Sequence, residues 1–311
     1  MTLHDVSLDD KFDLSKERIF VTGAQAIVRM LLMQRERDRR EGFKTAGFVS
    51  GYRGSPLGGL DLQLWRARRP LGEAGIVFQP GLNEELAATA CWGTQQTELA
   101  AEGRQDGVFA LWYGKGPGVD RSGDVFRHAN LAGTSPRGGV LALMGDDHNA
   151  ESSTNAHATE YAFVDAMIPV LHPAGVQELI DFGLIGYGLS RFAGTWTAIK
   201  CVKDNIESTA SIEAGLDRVQ IVQPDFDMPP GGLNIRNELD PLGQEARLHR
   251  YKRQAVSAFI QANGINRIVY DGGPDARLGI ITVGKSYLDV REALAELGID
   301  EARARPLGIR L

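Results

Sequence analysis

Cysteine is nearly absent: the 311 residues hold two, Cys91 and Cys201, far apart and in no C-x-x-C arrangement. The chain by itself therefore cannot ligate an iron–sulfur cluster or a cysteine-type zinc centre, each of which takes several thiolates. Free thiols suit a reducing, cytoplasmic setting. A basic excess is also missing. The 34 Lys and Arg against 40 Asp and Glu leave a net charge of −6, which argues for no nucleic-acid partner. The one basic cluster, "RERDRREGFK", is interleaved with acids as on a solvated helix face. No apolar run reaches the ~20 residues of a membrane-spanning helix, so no membrane partner is expected. The N-terminus, "MTLHDVSLDDKFDLSKE", lacks the basic-then-apolar layout of a secretory signal. What remains is a globular composition, 43% hydrophobic and 24% charged, long enough for one large domain or two smaller ones.

Along the chain, residues 1–18 read as an arm. The segment "VTGAQAIVRMLLMQRERDRR" predicts a helix starting near Thr22, with Ile27, Met30, Leu31 and Met33 toward one face. Apolar runs such as "KTAGFVSG", "GVFALWYGK", "GGVLALMG" and "GTWTAIKC" then alternate with helical stretches. They are continuous rather than alternating, which predicts strands buried on both faces: an α/β fold with a mostly parallel sheet and helices on both sides. Ligands of such sheets gather at the carboxyl ends of the strands, here the loops "GYRGSPLGG", "GLNEE", "YGKGPGVDRSGD" and "GDDHNAESSTNAH". We place the main domain at 19–205 and a Pro-, Gly- and charge-rich connecting arm at 206–270. That arm shows no strand pattern until Arg267 and a helix from about Gln244 to Asn263. Residues 271–311 open a second α/β unit. One βα unit cannot bury its own sheet, which typically needs ~4–6 strands, so the chain reads as the N-terminal part of something longer.

Several motifs invite chemistry. The glycine-rich "GYRGSPLGG" and "YGKGPG" lack G-x-G-x-x-G spacing with a downstream acid, and no Ser or Thr follows Lys115 in a P-loop frame. His148, His157 and His172 lie near Asp146, Asp147 and Glu160, but without H-E-x-x-H or another tight ligand spacing. They read as hydrogen-bonding loop residues rather than metal ligands. Ser55 reads as a helix N-cap with Pro56 at the first helical position, in a loop that can also offer N–H groups to an anion. Asn83 reads as the N-cap of the next helix, with Glu84 and Glu85 in its first turn. By themselves these two acids need mean no more than an ordinary helix start. A run of small residues follows: Ala87, Ala88, Ala90, Cys91 and Gly93.

In this order the segments resemble the 2-oxoacid:ferredoxin oxidoreductases, and among them the indolepyruvate enzymes in their long fused forms. "GAQAIVRM" resembles the family's opening helix. "GYRGSP" is similar to its Gly-Tyr-Pro-x-Thr-Pro loop, with Arg53 and Ser55 as departures. "NEELAATACWG" resembles its Asn/Ser-Glu helix, "WYGKGPGVD" its next loop, and "DDHNAESSTNAHATEYAFVDAMIPVLHP" its long acidic block. The resemblance implies a thiamine diphosphate-binding fold with residues 19–205 as its pyrimidine-binding domain, and residues 271–311 as the start of a transketolase C-terminal-like domain. Glu84, nine residues before Gly93, would hydrogen-bond N1′ of the aminopyrimidine, beside Gly51 and Tyr52. Glu85 points about 100° away around the helix. Ser55, with Arg53 and Lys115, would meet the carboxylate of a 2-oxoacid such as indolepyruvate, another arylpyruvate or pyruvate. The implied reaction is oxidative decarboxylation to an acyl-CoA, with coenzyme A as co-substrate and electrons passed to ferredoxin. Mg2+, the diphosphate-binding domain and [4Fe-4S] clusters would lie elsewhere in a dimeric enzyme, so this stretch alone would be inactive. Two other readings stay open: a non-catalytic assembly module of the same fold, and another thiamine diphosphate enzyme such as a decarboxylase or transketolase.

Overall fold

The four long apolar runs become the four inner strands of one parallel sheet. The computed structural model describes residues 6–99, 103–151, 155–237 and 240–311; the first five residues of the arm, residues 152–154 of the acidic block and residues 238–239 of the connector lie outside them. The elements follow as β1 (Arg18–Thr22), α1 (Gly23–Arg40), β2 (Thr45–Gly51), α2 (Gly58–Arg66), α3 (Arg68–Glu73), β3 (Ile76–Phe78), α4 (Glu84–Thr94), β4 (Gly107–Lys115), α5 (Gly116–Arg121) and α6 (Gly123–Ala132). Then come β5 (Val140–Gly145), α7 (Glu160–Asp165), β6 (Val170–Leu171), α8 (Val176–Ala193), β7 (Thr197–Cys201), α9 (Lys203–Ile206) and β8 (Thr209–Glu213). The connector carries α10 (Pro241–Arg247), a π-helical turn (Leu248–Lys252) and α11 (Arg253–Ala262). The chain closes with β9 (Leu278–Gly279), α12 (Lys285–Glu296), α13 (Glu301–Leu307) and β10 (Ile309–Arg310).

The six-stranded sheet runs β3-β2-β4-β5-β7-β6, all parallel. Its strands feed two cores because successive side chains alternate across the sheet. Phe109, Leu111 and Tyr113 of β4 pack with α1, α2 and α8, while Ala110 and Trp112 pack with α4 and α6. This explains the continuous runs: both faces are covered. Thr22 caps α1 as its sequence predicts, in a reciprocal capping box with Gln25. The expected single apolar face of α1 is too modest. Residues 23, 24 and 26–34 are all buried, because α1 lies between the sheet, α8 and α2.

Three expectations need correcting. The connecting arm is not strand-free before Arg267: β8 pairs antiparallel with β1, Arg18 opposite Glu213 and Thr22 opposite Thr209. Ala210 and Ile212 of β8 face the core and only Ile212 is fully buried, too weak a pattern to stand out. Helix α2 is capped by Leu57 with no side-chain bond, so Ser55 is not an N-cap; Ser55, Pro56 and Leu57 form a turn before it. The run "LGIITVG" gives only the two-residue strand β9, paired with β10 over a small core of Tyr270, Leu294, Ala304 and Leu311. Ile281 is fully exposed, since no further strand covers it among the described residues. No helix among them is long and apolar enough to cross a membrane.

Candidate functional site

Four chain segments meet at the carboxyl end of the sheet. The loop before α4 is tied to β2: Gln79 N–H donates to the Val49 carbonyl and Gly81 N–H to that of Gly51, both at 2.9 Å. The Asn83 side chain accepts from Leu86 N–H at 2.9 Å, capping α4 as expected. We predict that Asn83→Ala costs about 1 kcal/mol, read by denaturant unfolding, with the fold retained.

That cap delivers Glu84 to the first position of α4, where it is buried. The Trp112 indole N–H donates to the Glu84 carbonyl at 2.9 Å, fixing the backbone there. The carboxyl group lies over Gly118 of α5. A Cβ at Gly118 would stand 2.4 Å from Glu84 Cγ and 2.7 Å from Oε1, and one at Gly114 3.3 Å from Cγ. Only hydrogen fits at 118. Among the described residues nothing pairs with the Glu84 carboxylate. Glu85 behaves otherwise: it is half-exposed, with Arg121 4.0 Å away. The small residues of α4 also divide. Ala87, Ala88 and Cys91 are buried against the sheet, whereas Ala90 and Gly93 face outward. Close packing onto β2 and β4 and against α5 and α6 accounts for the buried set.

The turn from Lys115 to Gly118 gathers the remaining groups. The Lys115 side chain crosses the β2 loop at Gly54, where an added Cβ would come within 2.6 Å of its Cδ. That loop rests on the end of β5, with Pro56 and Leu57 3.0 Å from a Cβ placed at Gly145. Lys115 and the Ser55 turn thus share one end of the sheet with Glu84 and the end of β2 at Gly51. Tyr52 and Arg53 are exposed on its rim; Tyr52 N–H donates to the Tyr113 carbonyl at 3.0 Å.

The histidines do not gather. His148 is exposed. His172 lies under Gly284, and burial together with Lys200 pulls its pKa down to about 4. His157 sits on Gly116. No group of three or more His, Cys, Asp or Glu is placed to hold a metal among the described residues. The acids serve hydrogen bonds instead: Asp146 accepts from Thr159 N–H and Oγ and pairs with Lys200 at 3.1 Å, which also reaches Glu160 at 2.6 Å. Gly118, Trp112 and His157 were not singled out as site residues by sequence. The glycine spacing of "GKGPG" was the available signal for the first.

Relatives match along nearly the whole chain. A family model described as the indolepyruvate oxidoreductase domain matches residues 268–311. Indolepyruvate oxidoreductase subunit IorA of Pyrococcus abyssi is 26% identical over 299 residues, 96% of this chain and 42% of the relative. IorA of Methanothermobacter marburgensis is 25% identical over 300 residues, 95% of the chain and 44% of the relative. The chain thus spans less than half the length of these relatives. A solved 2-oxoglutarate:ferredoxin oxidoreductase from Magnetococcus marinus, with 2-oxoglutarate, coenzyme A and succinyl-CoA bound, superposes at a TM-score of 0.67 and 15% identity, over 95% of this chain and 53% of that one. Matched domain, relatives and shared fold point the same way: the chain is similar to the 2-oxoacid:ferredoxin oxidoreductases, and among them to the indolepyruvate oxidoreductase subunit IorA.

Proposed function

We propose that this chain supplies the pyrimidine-binding part of a thiamine diphosphate-dependent oxidoreductase that oxidatively decarboxylates an arylpyruvate such as indolepyruvate. The carrying observation is the Glu84 carboxyl group, buried over glycines and without a protein partner among the described residues. Its oxygens are not sealed from solvent, so a ligand entering the cleft can reach them, and the aminopyrimidine N1′ would offer a hydrogen bond there. The residues therefore fit the pyrimidine half of the cofactor: Glu84 would hold N1′, with Gly51 and Tyr52 at the end of β2 beside it.

When bound, thiamine diphosphate supplies the nucleophilic carbon and takes up the electron pair left by departing carbon dioxide. The chain's own residues do the rest. Glu84 holds the proton at N1′. Lys115 and the Ser55 turn present a cation and a hydroxyl to the substrate carboxylate, with Arg53 at the rim. In this reading residues 19–205 are the pyrimidine domain, 206–270 a connector and 271–311 the start of a transketolase C-terminal-like domain. Mg2+, the cofactor's diphosphate, the [4Fe-4S] clusters that lead to ferredoxin and the coenzyme A site belong to other parts of the enzyme, a dimer in this reading.

Calorimetric titration of the complete enzyme with thiamine diphosphate and Mg2+ tests the proposal. Micromolar or tighter binding is expected, with decarboxylation of indolepyruvate. Absence of any binding heat would instead point to an assembly module of the same fold.

A further inference from the structure

His157 follows a segment whose return to the sheet is fixed. Two residues later, Thr159 is held by Asp146 through its N–H at 3.1 Å and its hydroxyl at 2.7 Å, and Asp146 is itself buried against Lys200. From this anchor the imidazole reaches the turn after β4. A Cβ at Gly116 would stand 2.2 Å from His157 Cγ and 2.6 Å from Cδ2, so the ring lies directly on the backbone there. Both ring nitrogens face acceptors: Nδ1 is 3.0 Å from the Asn155 carbonyl and Nε2 is 3.4 Å from Asp120 in α5, a neutral ring donating to one of them and a protonated ring to both. The side chain is about one-fifth exposed.

We propose that His157 is a positioning residue for the cleft. Seated on Gly116 and held by Asn155 and Asp120, it clamps the Lys115–Gly118 turn between β4 and the segment after β5. That turn carries Lys115 at one end and, at the other, the glycine against which the Glu84 carboxyl group rests. A turn free to shift by 1 Å would move both groups, and a misplacement of that size costs roughly 10²-fold in rate. The proposal rests on the functional reading above only for which reaction is followed.

The test is a double-mutant cycle in the complete enzyme with Gly116→Ala, His157→Ala and the pair, read by kcat/KM for the 2-oxoacid, by unfolding midpoint and by hydrogen exchange of the 115–121 amides. Each single variant is expected to lower kcat/KM about tenfold or more and to speed exchange of those amides, with the unfolding midpoint unchanged. The pair should be no worse than His157→Ala within about twofold, because the added methyl enters space the ring has left. His157→Gln, which keeps a donor toward Asp120, should regain part of the loss. Multiplying losses, losses that follow the unfolding midpoint, or unchanged exchange in both single variants would each overturn the proposal. The exchange readout needs no turnover. An enzyme that binds no thiamine diphosphate yet shows the coupled exchange would refute the functional reading and leave the clamp standing.

Discussion

Glu84→Gln in the complete enzyme is expected to lower turnover of the 2-oxoacid by about 10²–10⁴-fold, the range of a lost acid–base group. The amide is nearly isosteric, so the fold should survive. The Asn83 cap, the indole bond from Trp112 to the Glu84 carbonyl and the glycine floor do not depend on the acid. What is lost is an acceptor that can share a proton with N1′. Glu85→Gln is the internal control: it changes the adjacent, half-exposed acid and should stay within about twofold of wild type, since surface charges of this kind contribute little. Gly118→Ala should imitate the loss at Glu84 without touching it, because the new methyl would stand 2.4 Å from Glu84 Cγ. Steady-state kinetics on the three variants, with cofactor titration, decides the matter. Wild-type turnover in Glu84→Gln removes Glu84 from the chemistry. Equal losses at Glu84 and Glu85 would point to a general effect on the helix start.

How far the sequence exposed this site varies from residue to residue. The parallel sheet was legible because "GVFALWYG" and "GGVLALMG" carry no charged residue and do not alternate with polar ones, as strands covered on both faces require. The Asn83 cap was legible because capping is local chemistry. Helix geometry alone says only that Glu84 and Glu85 point about 100° apart; the resemblance ranked Glu84 first, and the structure buries it and exposes Glu85. The β1–β8 ribbon was hidden because its partners lie almost the length of the main domain apart, and β8 turns inward only the small Ala210 and Ile212. Ser55 misled because a serine before a proline looks like a helix start, whereas this loop spends two more residues, Pro56 and Leu57, turning over the end of β5. The seat of His157 on Gly116 is a contact between two loops, and no local pattern encodes it.

The connector makes the last large prediction. Lys252, in the π-helical turn, is buried and donates to the Gly194 carbonyl at 2.8 Å and the Asn130 carbonyl at 3.3 Å, both near helix C-termini. No carboxylate pairs with it among the described residues. Burial, and then the charges of Arg247 and Arg236, pull its pKa down to about 7 from the ordinary 10.5. The two helix ends favour the ammonium, but they do not outweigh desolvation. Between those two values the unfolded chain binds a proton that the folded chain does not, so stability must fall as pH falls through this window. Below pH about 7 both states carry the proton and the penalty is complete. Lys252→Met removes the titrating group. Urea unfolding of both proteins from pH 6 to 10 should therefore show wild type gaining stability over the variant as pH rises, by several kcal/mol in all, with the difference levelling off below about 7. Parallel curves would mean that the ammonium keeps its ordinary affinity for the proton and that the two carbonyls suffice to hold its charge.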